Sequence, residues 1–156
     1  MSFYPIILTF HITFAAIWLF YFAADLLLRK RIAAAPSPEV KKSLVSLYLV
    51  LGNLFGITGT VGILITGILM VTLNPGYAFF QFTANHWLAT KQIIMVILLI
   101  MVFSSIIPAA KKIRMKLQGA EKDNYDEQLK KLYKIYNVMN ILVLINFLLA
   151  LSHQLM

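Results

Sequence analysis

The stretch YPIILTFHITFAAIWLFYFAADLLLRKR, residues 4–31, decides the reading of this chain. It is an apolar run over residues 4–28 closed by Arg29, Lys30 and Arg31, and His11 and Asp25 are the only acidic or basic side chains before that stop. About 20 helical residues cross roughly 30 Å of hydrocarbon, so a run of this length predicts a transmembrane helix. Strand-like alternation is absent, and an open sheet would leave backbone groups unpaired in lipid. The run is also longer than the apolar core of a secretory signal and ends on basic rather than small residues, which predicts that it stays in the mature protein.

Three further stretches match it. The four expected spans are residues 4–28, 47–73, 87–110 and 133–155. The expected fold is therefore an all-α integral membrane protein, a four-helix antiparallel bundle forming one domain over residues 1–156. A hydrophobic content of 60% and a mean hydropathy of +0.81 exceed what a soluble core needs. There is no cysteine, which excludes disulfides, thiolate metal sites, thioether-linked haem and iron–sulfur clusters. Any cofactor has to be held by His, Met, Lys, carboxylate or main chain.

Charge sets the expected orientation. Arg29, Lys30, Arg31, Lys41 and Lys42 follow the first span, and Lys111, Lys112, Arg114, Lys116, Lys122, Lys130, Lys131 and Lys134 lie between the third and fourth, which accounts for thirteen of the fourteen basic residues. Short basic loops stay in the cytoplasm, so residues 74–86 and both termini are expected on the extracytoplasmic side. The charge of +8 then reports topology, not nucleic-acid binding, and anionic lipid headgroups are the expected partners. The setting implied is an integral plasma (inner) membrane of a bacterium. Glu121, Asp123, Asp126 and Glu127 interleave with lysines and predict a short solvated helix, while Pro36 and Pro38 end the first helix and Ser37 begins the next.

Few polar side chains remain inside the spans. His11, Trp18 and Asp25 recur every seven residues and so share one face of the first helix, with only about 20° of drift per step. Met139, Asn146 and His153 repeat the pattern in the fourth span, and Lys91, Leu98 and Ser105 in the third. Polar groups in a membrane interior face protein or a cavity, so these stripes should look into the bundle. The second span carries Gly52, Asn53, Gly56, Gly59, Thr60 and Gly67, with Gly52 and Gly56 in a small-xxx-small arrangement that admits a neighbouring backbone or a flat ligand.

His11 lies about two turns into its helix, roughly 10 Å at 1.5 Å per residue, and His86, Lys91 and His153 fall toward the same side of the membrane. Neutral imidazole ligates haem iron, copper or zinc, and facing helices of a bundle are a natural place for such ligands. His86 and His153 equally suit the interface as plain polar residues. Lys91 either snorkels to the outer boundary or pairs with an anionic group of a ligand held by the histidines. Asp25 and Arg29 are four residues apart and read as a structural ion pair.

Two segments carry a family resemblance. His11-Ile-Thr-Phe-Ala-Ala-Ile-Trp18 is similar to the His-x6-Trp helix of the small four-helix membrane proteins around the HemJ-type protoporphyrinogen oxidases and the CopD-type copper-resistance proteins, and Trp87-Leu88-Ala89-Thr90-Lys91 resembles their Trp-Leu-His-Ala-Lys segment. The resemblance implies haem b binding and places essential roles on His11 and Lys91. Ala89 stands where the family has His, with His86 three residues earlier, and the family's Asn-Glu-x-Pro element is absent.

The leading expectation is a haem b-binding membrane redox protein, with His11, Trp18, His86, Lys91 and His153 around the cofactor and His86 or His153 opposite His11 on the iron. As an oxidoreductase it would exchange electrons with a porphyrin or quinone. A copper or zinc site built from His11, His86 and His153 is the metal-handling alternative. A non-catalytic subunit of a larger complex, or a homo-oligomer, is the third.

Overall fold

The computed structural model of the chain describes residues 3–119 and 125–154, without the side chains of residues 153 and 154. Among the described residues every regular element is helical. Helix α1 spans Tyr4–Ala33, α2 Pro38–Leu73, α3 Phe82–Met101, α4 Ile107–Gln118 and α5 Asp126–Gln154, and a π-helical turn, Val102–Ile106, joins α3 to α4. Counting α3, the π turn and α4 as one, four helices are long and apolar enough to cross a membrane.

The helices overrun the expected spans at the end that carries the basic residues, here the basic end. Arg29, Lys30 and Arg31 lie inside α1, Lys41 and Lys42 inside α2, and Lys111, Lys112, Arg114 and Lys116 inside α4. Lys, Arg, Leu and Gln are good helix formers, and a helix leaving the membrane satisfies its own backbone, so nothing obliges it to stop at the lipid boundary. The solvated helix expected to continue toward the fourth span is the first turns of α5, beginning at Asp126, and Glu121, Lys122 and Asp123 lie outside the described residues.

The turn at residues 34–37 forms as its sequence predicts. The Ser37 side chain accepts the Val40 N–H at 3.3 Å, with Pro38 opening α2 and Glu39 in its first turn. The π turn also has a local cause. Pro108 has no amide hydrogen and its ring crowds the carbonyl four residues back, and just before it the Ile107 N–H reaches five residues back to the Val102 carbonyl.

Helices α1 and α2 run antiparallel in close contact, α3 and α4 lie against α5, and α5 and α4 return to α1 and α2 respectively. The α1 side of the seam is His11, Phe14, Trp18, Tyr21 and Asp25, an alternating three-and-four spacing that keeps all five on one face. Their counterparts on α2 are mostly small. A Cβ on Gly62 would collide with the Phe14 ring, one on Gly59 would come within 3.3 Å of the Trp18 Cβ, and one on Gly52 would stand 2.7 Å from the Tyr21 hydroxyl and 2.9 Å from that of Tyr136. Lipid tails are as apolar as leucine, so burial alone does not drive helices together; close packing of rings into glycine notches does.

Gly56 departs from this pattern. A Cβ there would meet nothing within 4 Å, so the Gly52–Gly56 pair is not the packing motif. The seam follows Tyr48, Gly52, Gly59, Gly62 and Thr66, a heptad-like spacing that turns position 56 away.

Candidate functional site

The shared face of α1 carries two polar centres. Nearer the basic end, Asp25 is wholly buried. Its Oδ1 accepts from Arg29 Nε at 2.8 Å and from the Tyr48 hydroxyl at 2.7 Å, and its Oδ2 meets Arg29 Nη2 at 2.7 Å and Asn140 Nδ2 at 3.1 Å. Arg29 thus meets both carboxylate oxygens, Nε as a charge-assisted hydrogen-bond donor and Nη2 as an ion contact. Its remaining arm donates to Asn137 Oδ1 at 2.6 Å, and its guanidinium carbon stands 4.6 Å from the centre of the Tyr133 ring. Tyr48 packs edge-on to Tyr133 and Tyr136, and Tyr136 edge-on to Tyr21. Arg114 of α4 adds a bond to the Leu49 carbonyl at 3.1 Å.

The ion pair expected from the i, i+4 spacing is therefore present, within a network joining α1, α2 and α5. Tyr48, Asn137, Asn140 and the other tyrosines had no signal in the sequence beyond being polar residues near span ends. Which of them meet Asp25 depends on how the helices are rotated about their axes.

The second centre lies toward the other end, around His11. The ring is half-buried, and its Nδ1 lies 2.8 Å from Thr66 Oγ1 on α2. Gly67 lies beside it: a Cβ there would be 3.5 Å from His11 Cε1, an ordinary contact. Lys91 of α3 is half-buried and within electrostatic range of His11. Its ammonium lies 5.7 Å from the Trp87 ring centre, and among the described residues it has no carboxylate partner. Trp18 is buried, and its Nε1–H has no acceptor among the described residues; Asn146 Oδ1 is likewise buried and unmatched. Buried polar atoms nearly always have partners, so leftovers of this kind call for an explanation.

The other expected site residues divide. His86 is exposed, and five residues separate it from Lys91, about 140° around a helix at 3.6 residues per turn, so the two present to different sides of α3. His153 falls in the last turn of α5, and its side chain lies outside the described residues. The stripe it continues does face inward, with Met139 buried and Asn146 half-buried, and the α3 stripe does so at Leu98. Among the described residues no group of three or more His, Cys, Asp or Glu side chains gathers as a metal site.

The connection over residues 74–81 holds the start of α3 in place. Asn74 Oδ1 accepts the Gly76 N–H at 3.0 Å, Asn85 Nδ2 donates to the Gly76 carbonyl at 2.8 Å, and Gln92 Oε1 accepts the Phe80 N–H at 2.6 Å. That last bond fixes Phe80 at φ 54°, a left-handed conformation uncommon for a bulky residue. Tyr77 packs edge-on to Trp87 at 5.9 Å. The residues before Lys91 are thus tied to the loop, and the lysine is positioned from its own helix and from the turn that precedes it. No family model, no curated protein and no solved structure matches the chain.

Proposed function

We propose that the chain is a haem b-binding membrane protein of redox type, akin to the group around the HemJ-type protoporphyrinogen oxidases and the CopD-type proteins. In this reading His11 would hold the iron through its imidazole, with His86 or His153 as the second histidine available to it. The observation that carries it is Lys91, half-buried on α3 without a carboxylate partner among the described residues, in a bundle whose α1 seam holds the His11 imidazole. An ammonium held within a bundle gains most from a counter-charge that is itself desolvated, and a haem propionate provides one.

The residues present fit this group. His11 offers an imidazole within the bundle, Lys91 a cation for the propionate, and Trp18 an unmatched buried N–H. When bound, haem b supplies one-electron transfer, its potential set by axial ligands and hydrogen bonds. The chain contributes ligation through His11, orientation through Lys91 and exclusion of water through the close α1–α2 seam. A porphyrin-like molecule or a quinone is the proposed electron partner. The basic end faces the cytoplasm of a bacterial inner membrane in this reading, because short basic segments are retained there.

The absorption spectrum of the detergent-purified protein tests the proposal. A Soret band is expected, retained at lower occupancy in Lys91→Met; a well-folded protein without one would overturn the haem reading. His86→Ala and His153→Ala then identify the second ligand, since only the true ligand alters the low-spin spectrum. For the topology, a cysteine introduced at Gly76 is expected to label from the extracytoplasmic face of intact spheroplasts, and labelling only in inverted vesicles would reverse the orientation.

A further inference from the structure

Thr66 has a role that its sequence position does not advertise. Its hydroxyl stands 2.6 Å from the Gly62 carbonyl oxygen and 3.3 Å from that of Ile63, and 2.8 Å from His11 Nδ1. The first distance falls within the range of about 2.5–3.0 Å seen for O–H···O bonds, and two oxygens so close repel unless a proton lies between them. A threonine hydroxyl has one proton to give. That proton is committed to the Gly62 carbonyl, so the oxygen can only accept from His11. Nδ1 then carries the hydrogen, and the lone pair of the neutral ring is on Nε2.

We infer that Thr66 is a positioning residue for His11: it fixes the imidazole as the Nδ1–H tautomer, anchors the ring to α2, and leaves Nε2 as the nitrogen available to a metal centre. A ligating histidine is commonly held this way, its second nitrogen donating to a neighbouring oxygen that sets tautomer and orientation. Three features of α2 make the arrangement possible. Thr66 is buried, so water does not compete for its oxygen. Gly62 lacks a side chain that would collide with the Phe14 ring and push α1 away, and the Gly67 backbone packs beside the imidazole, where even a Cβ would make ordinary contact. Thr66 therefore acts through His11 and is not itself a ligand. The consequence for iron ligation rests on the haem reading above, whereas the tautomer does not.

The test keeps these apart. Full-length protein with 15N-labelled histidine, purified from haem-deficient cells and placed in lipid nanodiscs, reports which ring nitrogen of His11 is protonated, with signals assigned by their loss in His11→Gln. The Nδ1–H form is expected in wild type and Thr66→Ser, with a shift toward Nε2–H in Thr66→Val. Haemin titration of the same samples is expected to show about tenfold or greater weakening in Thr66→Val and recovery in Thr66→Ser. An Nδ1–H tautomer that depends on Thr66, in a protein that takes up no haem, would uphold the positioning role and remove the haem reading. Nε2–H in wild type, or an unchanged tautomer in Thr66→Val, would overturn the inference whatever the haem result. If Thr66→Val fails to fold, the wild-type and Thr66→Ser spectra still decide it.

Discussion

The two polar centres on α1 differ in how their charges are matched. Asp25 has four contacts from three residues, and Arg29 spends its remaining arm on Asn137. At the His11 centre the ring has one side-chain partner, Lys91 has no carboxylate among the described residues, and the Trp18 N–H has no acceptor there. At the Asp25 centre Asn140 Oδ1 and the Tyr21 and Tyr133 hydroxyls lack a hydrogen bond among the described residues, as does Arg29 Nη2, but that nitrogen stands 2.7 Å from Asp25 Oδ2, so its charge is met. A charge that is fully met by protein joins helices and has nothing to offer a ligand. In the proposed reading, the Lys91 ammonium of α3 and the second ring nitrogen of His11 are the groups a bound cofactor would meet. The α1 face thus carries a charge clamp at one end and a sparsely paired histidine at the other.

Substitutions can break or sharpen this contrast, and the largest effect belongs to the clamp. Asp25→Asn leaves Arg29 in place without its counter-ion and is expected to cost about 3–5 kcal/mol, read by reversible SDS unfolding in mixed micelles. A cost well below 1 kcal/mol would show that the buried pair does not hold the bundle. Tyr48→Phe removes one hydrogen bond to the same carboxylate, and a loss of about 1.5–3 kcal/mol is expected by the same assay.

The glycine seam separates next. Gly62→Ala forces the Phe14 ring to move and should cost about 1–3 kcal/mol. Gly56→Ala meets open space and should be neutral or gain up to about 1 kcal/mol from helix propensity. Equal losses at the two positions would contradict the seam. The smallest change is expected outside both centres: Lys41 and Asp126 pair at 2.8 Å with side chains a third or more exposed, so Lys41→Ala should cost about 0.2–1 kcal/mol, declining further in high salt.

Much of this architecture was legible in the sequence, and the part that was not has a common cause. Four long apolar runs and a seven-residue recurrence of His11, Trp18 and Asp25 need only one helix at a time to be read, and the helices and the buried Trp18 and Asp25 agree with them. The helices run past the expected spans at the basic end, because hydropathy marks apolar length and not the end of backbone hydrogen bonding. Gly56 takes no neighbouring backbone, because small-xxx-small spacing describes one crossing geometry, whereas these helices meet along a heptad-like seam. Tyr48, Thr66 and Asn140 were invisible as partners because each pairing depends on the relative rotation and depth of two helices. His86 is exposed on a different side of α3 from Lys91, a placement set by the five-residue helical step between them.

Haem content per folded protein, by pyridine haemochrome assay on wild type, His11→Ala and Asp25→Asn, bears most directly on the division between the centres. Near-stoichiometric haem is expected in wild type, little change in the folded fraction of Asp25→Asn, and loss or severe reduction in His11→Ala. Undiminished haem in His11→Ala, or a well-folded wild type with neither haem nor metal by elemental analysis, would contradict it and leave the complex-subunit reading in front.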